Sequence, residues 1–223
     1  MNNSAANTGR VLWAGLRALL VLTVVCGVLY PLAVTGIAQA ALPWRANGSE
    51  VKDASGTTVG SALIGQTYLT DGKPDPRWFQ PRPSNGLGTN SVNTRYRLIL
   101  SGATNRSGDN ADLIQWVEAA KAAVIRDNSV NGHTVKPSDV PADAVTSSGS
   151  GLDPHISPAY AKLQAHRVAA RNHLPVTEVD RLIAAHTDDR VLGFIGEPRV
   201  NVLQLNIALR DAVEGRDVVE GRG

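Results

Sequence analysis

No acidic or basic side chain occurs between Arg17 and Arg45, an interval made mostly of Ala, Leu, Val, Ile and Gly. That absence excludes an ordinary solvated segment. Residues 18–39, a run of 22, would at about 1.5 Å per residue cover the roughly 30 Å hydrocarbon core of a bilayer as a helix. Arg10 and Arg17 precede this run with no acid beside them, and Trp13 and Trp44 stand where interfacial aromatics belong. The positive-inside rule then predicts residues 1–17 in the cytoplasm, 18–39 in the membrane and 40–223 outside. A cleaved secretory signal is the rival reading, since Ala38-Gln39-Ala40 fits a small-x-small cleavage pattern. Signal cores run only about 7–15 residues, so length favours a retained anchor. Pro31, in the outer part of the span, removes a backbone donor and predicts a kink, which points to helical neighbours. Gly27 and Gly36 add small surfaces without the GxxxG spacing of a dimer seam.

Cysteine is almost lacking too. Cys26 is the one cysteine, and it lies inside the span, so the outer domain must fold without disulfides. Nor is there an excess of charge of either sign. Lys and Arg number 22 against 20 Asp and Glu, and setting aside Arg10 and Arg17 leaves the part beyond the span neutral. With no basic cluster to release counterions, nucleic acid is excluded as a partner. Internal repeats and charged low-complexity tracts are absent. About 180 residues remain, enough for one domain.

What is present reads as mixed α+β. Residues 50–69 alternate around a turn at Ser55-Gly56 and predict a hairpin. Residues 70–108 are rich in Gly, Pro, Asn, Ser and Arg, with Trp78, Phe79 and Tyr96 among them, and predict a long ordered loop surface. Asp109 is placed as the cap of a helix burying Leu113, Trp116, Val117, Ala120 and Val124. Residues 140–146 suggest a short strand. Ser157-Pro158 opens a helix to about Asn172, Thr177 caps another carrying Val179, Leu182, Ile183 and His186, and residues 191–195 read as a brief buried strand. Asn201 caps a last helix with Leu205, Leu209 and Val213 on one face, and the tail beyond Gly215 is expected to fray.

Chemical motifs are mostly missing. The densest small-residue run is Thr146-Ser147-Ser148-Gly149-Ser150-Gly151-Leu152-Asp153-Pro154-His155. Near a helix start such a run either cradles an anion or is a tight structural turn. No lysine follows the glycines, so this is not a phosphate-binding P-loop. Ser148 or Ser150 with His155 and Asp153 supplies the residue types of a hydrolase triad, but all are local in sequence and no Gly-x-Ser-x-Gly elbow is formed. His166 and His173, two helical turns apart, have no ligand set spaced for zinc, and metal is not expected. Arg82 and Arg199 sit in proline-stiffened loops and either dock a partner or pair internally. Asn201 and Asn206 beside apolar neighbours require hydrogen-bond partners.

Several blocks taken together carry a resemblance: Gly60-Ser61-Ala62-Leu63-Ile64-Gly65-Gln66, Arg82-Pro83-Ser84, Ser101-Gly102, the Ser148–Ser157 run, Gln164-x-x-Arg167-Val168-Ala169, and Gly196-Glu197-Pro198-Arg199-Val200-Asn201-Val202-Leu203. In this order behind one apolar helix they resemble the C subunits of the bacterial high-affinity potassium-transporting P-type ATPase, the Kdp complex. The resemblance covers nearly the whole chain. It implies a single N-terminal transmembrane helix plus one mixed α+β extracytoplasmic domain, in a cell-membrane subunit without its own catalytic site. It also implies two partners, a potassium-channel-like subunit and a P-type ATP-hydrolysing subunit, which handle potassium and ATP while this chain holds no cofactor. The family is described as a catalytic chaperone that raises the ATP affinity of the hydrolysing subunit. Its nucleotide-signature-like loop maps onto Ser148, Gly149, Ser150, Gly151, Asp153 and Pro154, and the implied partner contacts onto Arg82, Ser84, Gln164, Arg167, Arg199 and Asn201. Gly27, Pro31 and Gly36 are the implied helix contacts in the membrane. With the domain outside, the serine-glycine loop cannot touch cytoplasmic ATP, and any effect on nucleotide affinity must be transmitted. Ala103-Thr104-Asn105-Arg106-Ser107 departs from the commoner family pattern after Ser101-Gly102. The other readings are a membrane-tethered exported serine hydrolase and a free-standing binding module.

Overall fold

The structure, a computed structural model, describes residues 3–84, 101–103 and 105–220, so the predicted loop around Tyr96 lies outside the described residues. The chain divides into two compact units, Met1–Ser49 and Glu50–Gly223. The first is helical: α1 (Asn3–Val24), a π-helical turn at Val25–Leu29, α2 (Tyr30–Ala41) and the single turn α3 (Pro43–Ala46). Among the described residues the 36-residue stretch Ala6–Ala41, whose most apolar 18-residue window has a mean hydropathy of 2.3, is the one helix long and apolar enough to cross a membrane. It contains the expected span 18–39 and, at roughly 54 Å by the helical rise, outruns a bilayer core. Pro31 shows itself as a widened turn. It has no N–H to give the Gly27 carbonyl, and one residue earlier Tyr30 N–H donates to Val25 O, five residues back.

The second unit opens with the expected hairpin, β1 (Glu50–Lys52) against β2 (Thr58–Ser61), with a bulge between Val51 and Lys52. Its turn is built by Asp53, whose Oδ1 accepts the backbone N–H groups of Ser55 and Thr57, each at 3.0 Å. A second small hairpin, β3 (Leu69–Thr70) with β4 (Lys73–Pro74), interrupts the region read as loop. Asp71 and Gly72 at its tip both hold positive φ, the signature of an Asp-Gly turn.

Helix α4 (Ala111–Asn128) starts one residue later than expected. Asn110, not Asp109, caps it, with Asn110 Oδ1 accepting Leu113 N–H at 3.0 Å. Asp109 instead accepts the Ser107 hydroxyl. Trp116 is not core: it is 47% exposed and lies under the Arg106 guanidinium, 4.4 Å from its ring. The strand expected at 140–146 is a 3-10 turn, Ala142–Ala144, because Thr146 folds its N–H and hydroxyl back onto Ala142 O.

The rest follows as β5 (His155–Ile156), α5 (Pro158–Arg171), α6 (Val176–Ala185), β6 (Thr187–Asp188), β7 (Arg199–Asn201) and α7 (Val202–Glu220). The three strands form one antiparallel sheet in the order β5-β7-β6. Ser157 caps α5 as expected, accepting Tyr160 N–H, and Asp143 in turn accepts both the N–H and the hydroxyl of Ser157. Pro175, not Thr177, is the N-cap of α6, and α7 runs on to Glu220 where fraying was expected. The core gathers on α5, with Ala161 and Val168 fully buried beside Val179, Val200, Leu205 and Leu209. Residues 191–195 depart most from expectation. They form an exposed tight hairpin, not a buried strand.

Candidate functional site

The serine-glycine loop lies where several distant segments meet. Ser148, 3% exposed, has its N–H on Pro83 O and its hydroxyl accepting Gly151 N–H at 3.0 Å. Ser150 Oγ lies 3.1 Å from Ser148 Oγ and accepts Leu152 N–H. The Ser150 carbonyl takes both Gly102 N–H and the Ser101 hydroxyl, Leu152 O takes Gly65 N–H, and Pro154 O takes Val202 N–H. Gly151, at φ 72°, turns the chain where a side chain would be strained. Residues 65, 83, 102 and 202 are thus tied by main-chain bonds, and residue 101 by its hydroxyl, to one loop of about seven residues.

Arg82 fastens the loop from the side. Its guanidinium reaches Thr146 O, Ser147 O and, at 3.3 Å, Asp153. Asp153 also accepts His155 N–H at 2.9 Å and stands 3.5 Å from the His155 ring. The hydrogen bond from His155 is the main cause holding the Asp153 carboxyl below the usual range, with Arg82 adding to it. Ser84 gives its hydroxyl back to Arg82 O. Arg82, one of the expected partner contacts, is thus paired within its own chain.

A second set of side chains lies deeper. The segment at Phe79 and Gln80, just past a turn at residues 75–78, runs beside α5 and α7, and a side-chain amide from each helix hydrogen-bonds to its backbone. Asn206 brackets Phe79, accepting its N–H and donating to its carbonyl, each at 2.9 Å. Gln164 does the same for Gln80, at 2.8 and 3.1 Å. Arg167, 3% exposed, donates to Pro76 O, Trp78 O, Asn128 Oδ1 and Gln164 Oε1. Four oxygens surround this guanidinium and none is a carboxylate. Burial draws its pKa down to about 10, still charged at neutral pH. Gln164 and Arg167, expected as partner contacts, are 0% and 3% exposed, and their polar groups are bonded within the chain. Asn201 is likewise internal, capping α7 by accepting Gln204 N–H and donating to Ala62 O. Arg199 stays on the surface, 3.6 Å from Asp188.

The structure brings the serines, Arg82 and Asp153 together but leaves the nucleophile reading without its base. Among the described residues no hydrogen bond joins His155 to Ser148 or Ser150. His166 meets His133, not His173, with the two rings stacked 3.7 Å apart in a groove also lined by Asp139, Lys162 and Asp180. His173 lies past the end of α5 at φ 56°. Among the described residues no group of three or more His, Cys, Asp or Glu side chains could hold a metal ion. Pro76 and Gln80, whose carbonyls accept from Arg167 and Gln164, went unnoticed in the sequence because main-chain acceptors carry no residue signature. Gln164 did carry one: it falls on the same helical face as Tyr160, Leu163 and Val168.

Over residues 12–211 the chain matches the family described as KdpC, K+-transporting ATPase, c chain. It is 70% identical over 220 residues to a potassium-transporting ATPase KdpC subunit of Streptomyces avermitilis, covering 96% of this chain and 99% of that one. A KdpC subunit of Streptomyces coelicolor is 67% identical over 220 residues, covering 96% of this chain and 97% of its own length. One from Geobacter sulfurreducens is 46% identical over 192 residues, 86% of this chain and 92% of the relative.

Proposed function

This chain belongs to the KdpC family, the c chains of K+-transporting ATPases, and from that premise we propose that it is a non-catalytic accessory subunit whose domain stabilises a potassium pump from outside the membrane. The observation that carries the non-catalytic part is the occupancy of the serine-glycine loop. Ser148 is buried with its hydroxyl accepting from Gly151, and Arg82 is held by Thr146, Ser147 and Asp153. Groups so engaged serve as scaffold and are not free for substrate. The outward location rests on Arg10 and Arg17 before the apolar helix and on the acid-free stretch around them.

In this reading the channel-like and ATP-hydrolysing subunits carry the chemistry, and this chain alters ATP affinity only by favouring one conformation of the assembly. Two measurements test it. Pump purified from potassium-starved cells should contain this chain, and pump made without it should need more ATP for half-maximal hydrolysis. An unchanged ATP dependence removes the affinity role. Protease added to spheroplasts should digest the domain from outside, and protection would place it in the cytoplasm and revive direct ATP contact.

A further inference from the structure

The hairpin between β6 and β7 exposes apolar surface that the domain itself does not cover. Val191, Leu192, Phe194 and Ile195 are 54, 78, 74 and 51% exposed. These side chains project from a fixed frame. Val191 and Ile195 exchange both backbone hydrogen bonds, at 2.9 and 3.0 Å, and Gly193 N–H closes onto Arg190 O. Leu192 stands at φ 55° and Gly193 at φ 81°. A leucine in the left-handed region is strained, and strain of this kind persists where surrounding structure demands it, often at a binding clamp. Here the strained residue is also the most exposed of the four, so packing within this chain does not offset the strain. Contact with another body can.

The rim indicates which body. Arg190 pairs with Glu197 at 2.8 Å and Arg199 with Asp188 at 3.6 Å, so the apolar tip is framed by ion pairs with no basic excess. An anionic lipid surface would be met by unpaired Lys or Arg and by interfacial Trp or Tyr, and the hairpin offers neither. An apolar centre around one aromatic side chain, inside a polar rim where Asp188, Asp189 and Glu197 face Arg190 and Arg199 and leave no basic excess, has the anatomy of a protein interface. Building on the accessory-subunit reading, we infer that the Val191–Ile195 hairpin is a preformed plug that seats Leu192 and Phe194 in an apolar recess of another subunit of the same ATPase.

The test uses the full-length chain expressed with the rest of the pump. A photoreactive benzoylphenylalanine replacing Phe194, and separately Leu192, should crosslink on illumination to another pump subunit. Adducts to lipid, to a second copy of this chain, or no adduct from an assembled pump would each overturn the plug. Leu192→Asp should lower co-purification of the other subunits at least tenfold while the chain stays in the membrane with unchanged thermal unfolding; full co-purification counts against the inference. Failure of the unsubstituted chain to co-purify would instead remove the accessory-subunit reading on which the plug rests.

Discussion

Arg167 is a buried cation held by neutral oxygens alone, and its worth depends on how many of them it serves. Truncation would leave Pro76 O, Trp78 O, Asn128 Oδ1 and Gln164 Oε1 short of a donor in a site closed to water. Arg167→Ala is therefore expected to destabilise the domain by roughly 3–5 kcal/mol, as loss of a buried network partner does. Arg167→Lys should recover little, because one ammonium cannot span the fork that a guanidinium covers. Urea denaturation of the detergent-solubilised chain measures both, and a Lys variant as stable as the parent would show that charge, not geometry, matters here.

Acid sensitivity also belongs to single residues. The bond from Arg77 is the chief cause that takes Asp75 down to about 2, and Asp153 is lowered mainly by His155. An unfolded carboxyl titrates near about 3.9, so the folded state binds fewer protons below that value. The stability that Asp75 contributes is complete above about pH 4 and is lost as pH falls towards 2, and that of Asp153 is lost in the same direction on acidification. His166 is lowered first by burial and then by the neighbouring His133. Its depressed value favours the neutral ring, so its contribution is present above about 6.5 and declines as the pH drops through the folded value. A denaturant midpoint that fell between pH 7 and 5 and again below 4 would match these directions; a midpoint rising on acidification in either window would contradict them.

Elements in this fold are set by their caps. The Asp109 and Asn110 pair at the start of α4 shows how two adjacent Asx residues are told apart only by what each side chain reaches. Asn110→Ala should cost about 1 kcal/mol of stability and Asp109→Ala much less, and thermal unfolding of the two variants decides between them. Close packing matters at β2 in the same way. A Cβ on Gly60 would come within 2.2 Å of Gln66 Nε2 and 2.9 Å of Leu203 Cδ2. Gln66 can swing away by giving up its bond to Val59 O, whereas Leu203 is 4% exposed and confined. Gly60→Ala is expected to destabilise by about 1–3 kcal/mol. Helices α5 and α7 were legible from Ser157-Pro158, from Asn201 and from apolar residues at helical spacing. The hairpin at residues 191–195 was not. Its apolar run has strand composition, and composition alone does not tell a side chain facing the core from one facing outwards.

At the scale of the whole molecule the apolar helix raises a separate question, whether it anchors or assembles. The π turn at Val25–Leu29 makes the span irregular, and the glycines at 27 and 36 leave small-residue positions along it. If other helices pack there, replacing residues 18–39 by a plain polyleucine span should leave the chain in the membrane and weaken co-purification of the pump. Equal co-purification would make the span a tether and put assembly in the domain. The sequence by itself determined the apolar span, because a charge-free run of that length has few other uses. It also determined the order of most elements, since caps and periodicities are local. Only the tertiary structure decided the roles of the polar residues. Gln164, Arg167 and Arg82 have side chains equally suited to a partner or to a buried backbone, and the choice depends on which segment passes beside them. For residues 75–84 that neighbour comes from about ninety positions away along the chain, a distance over which no local pattern carries information.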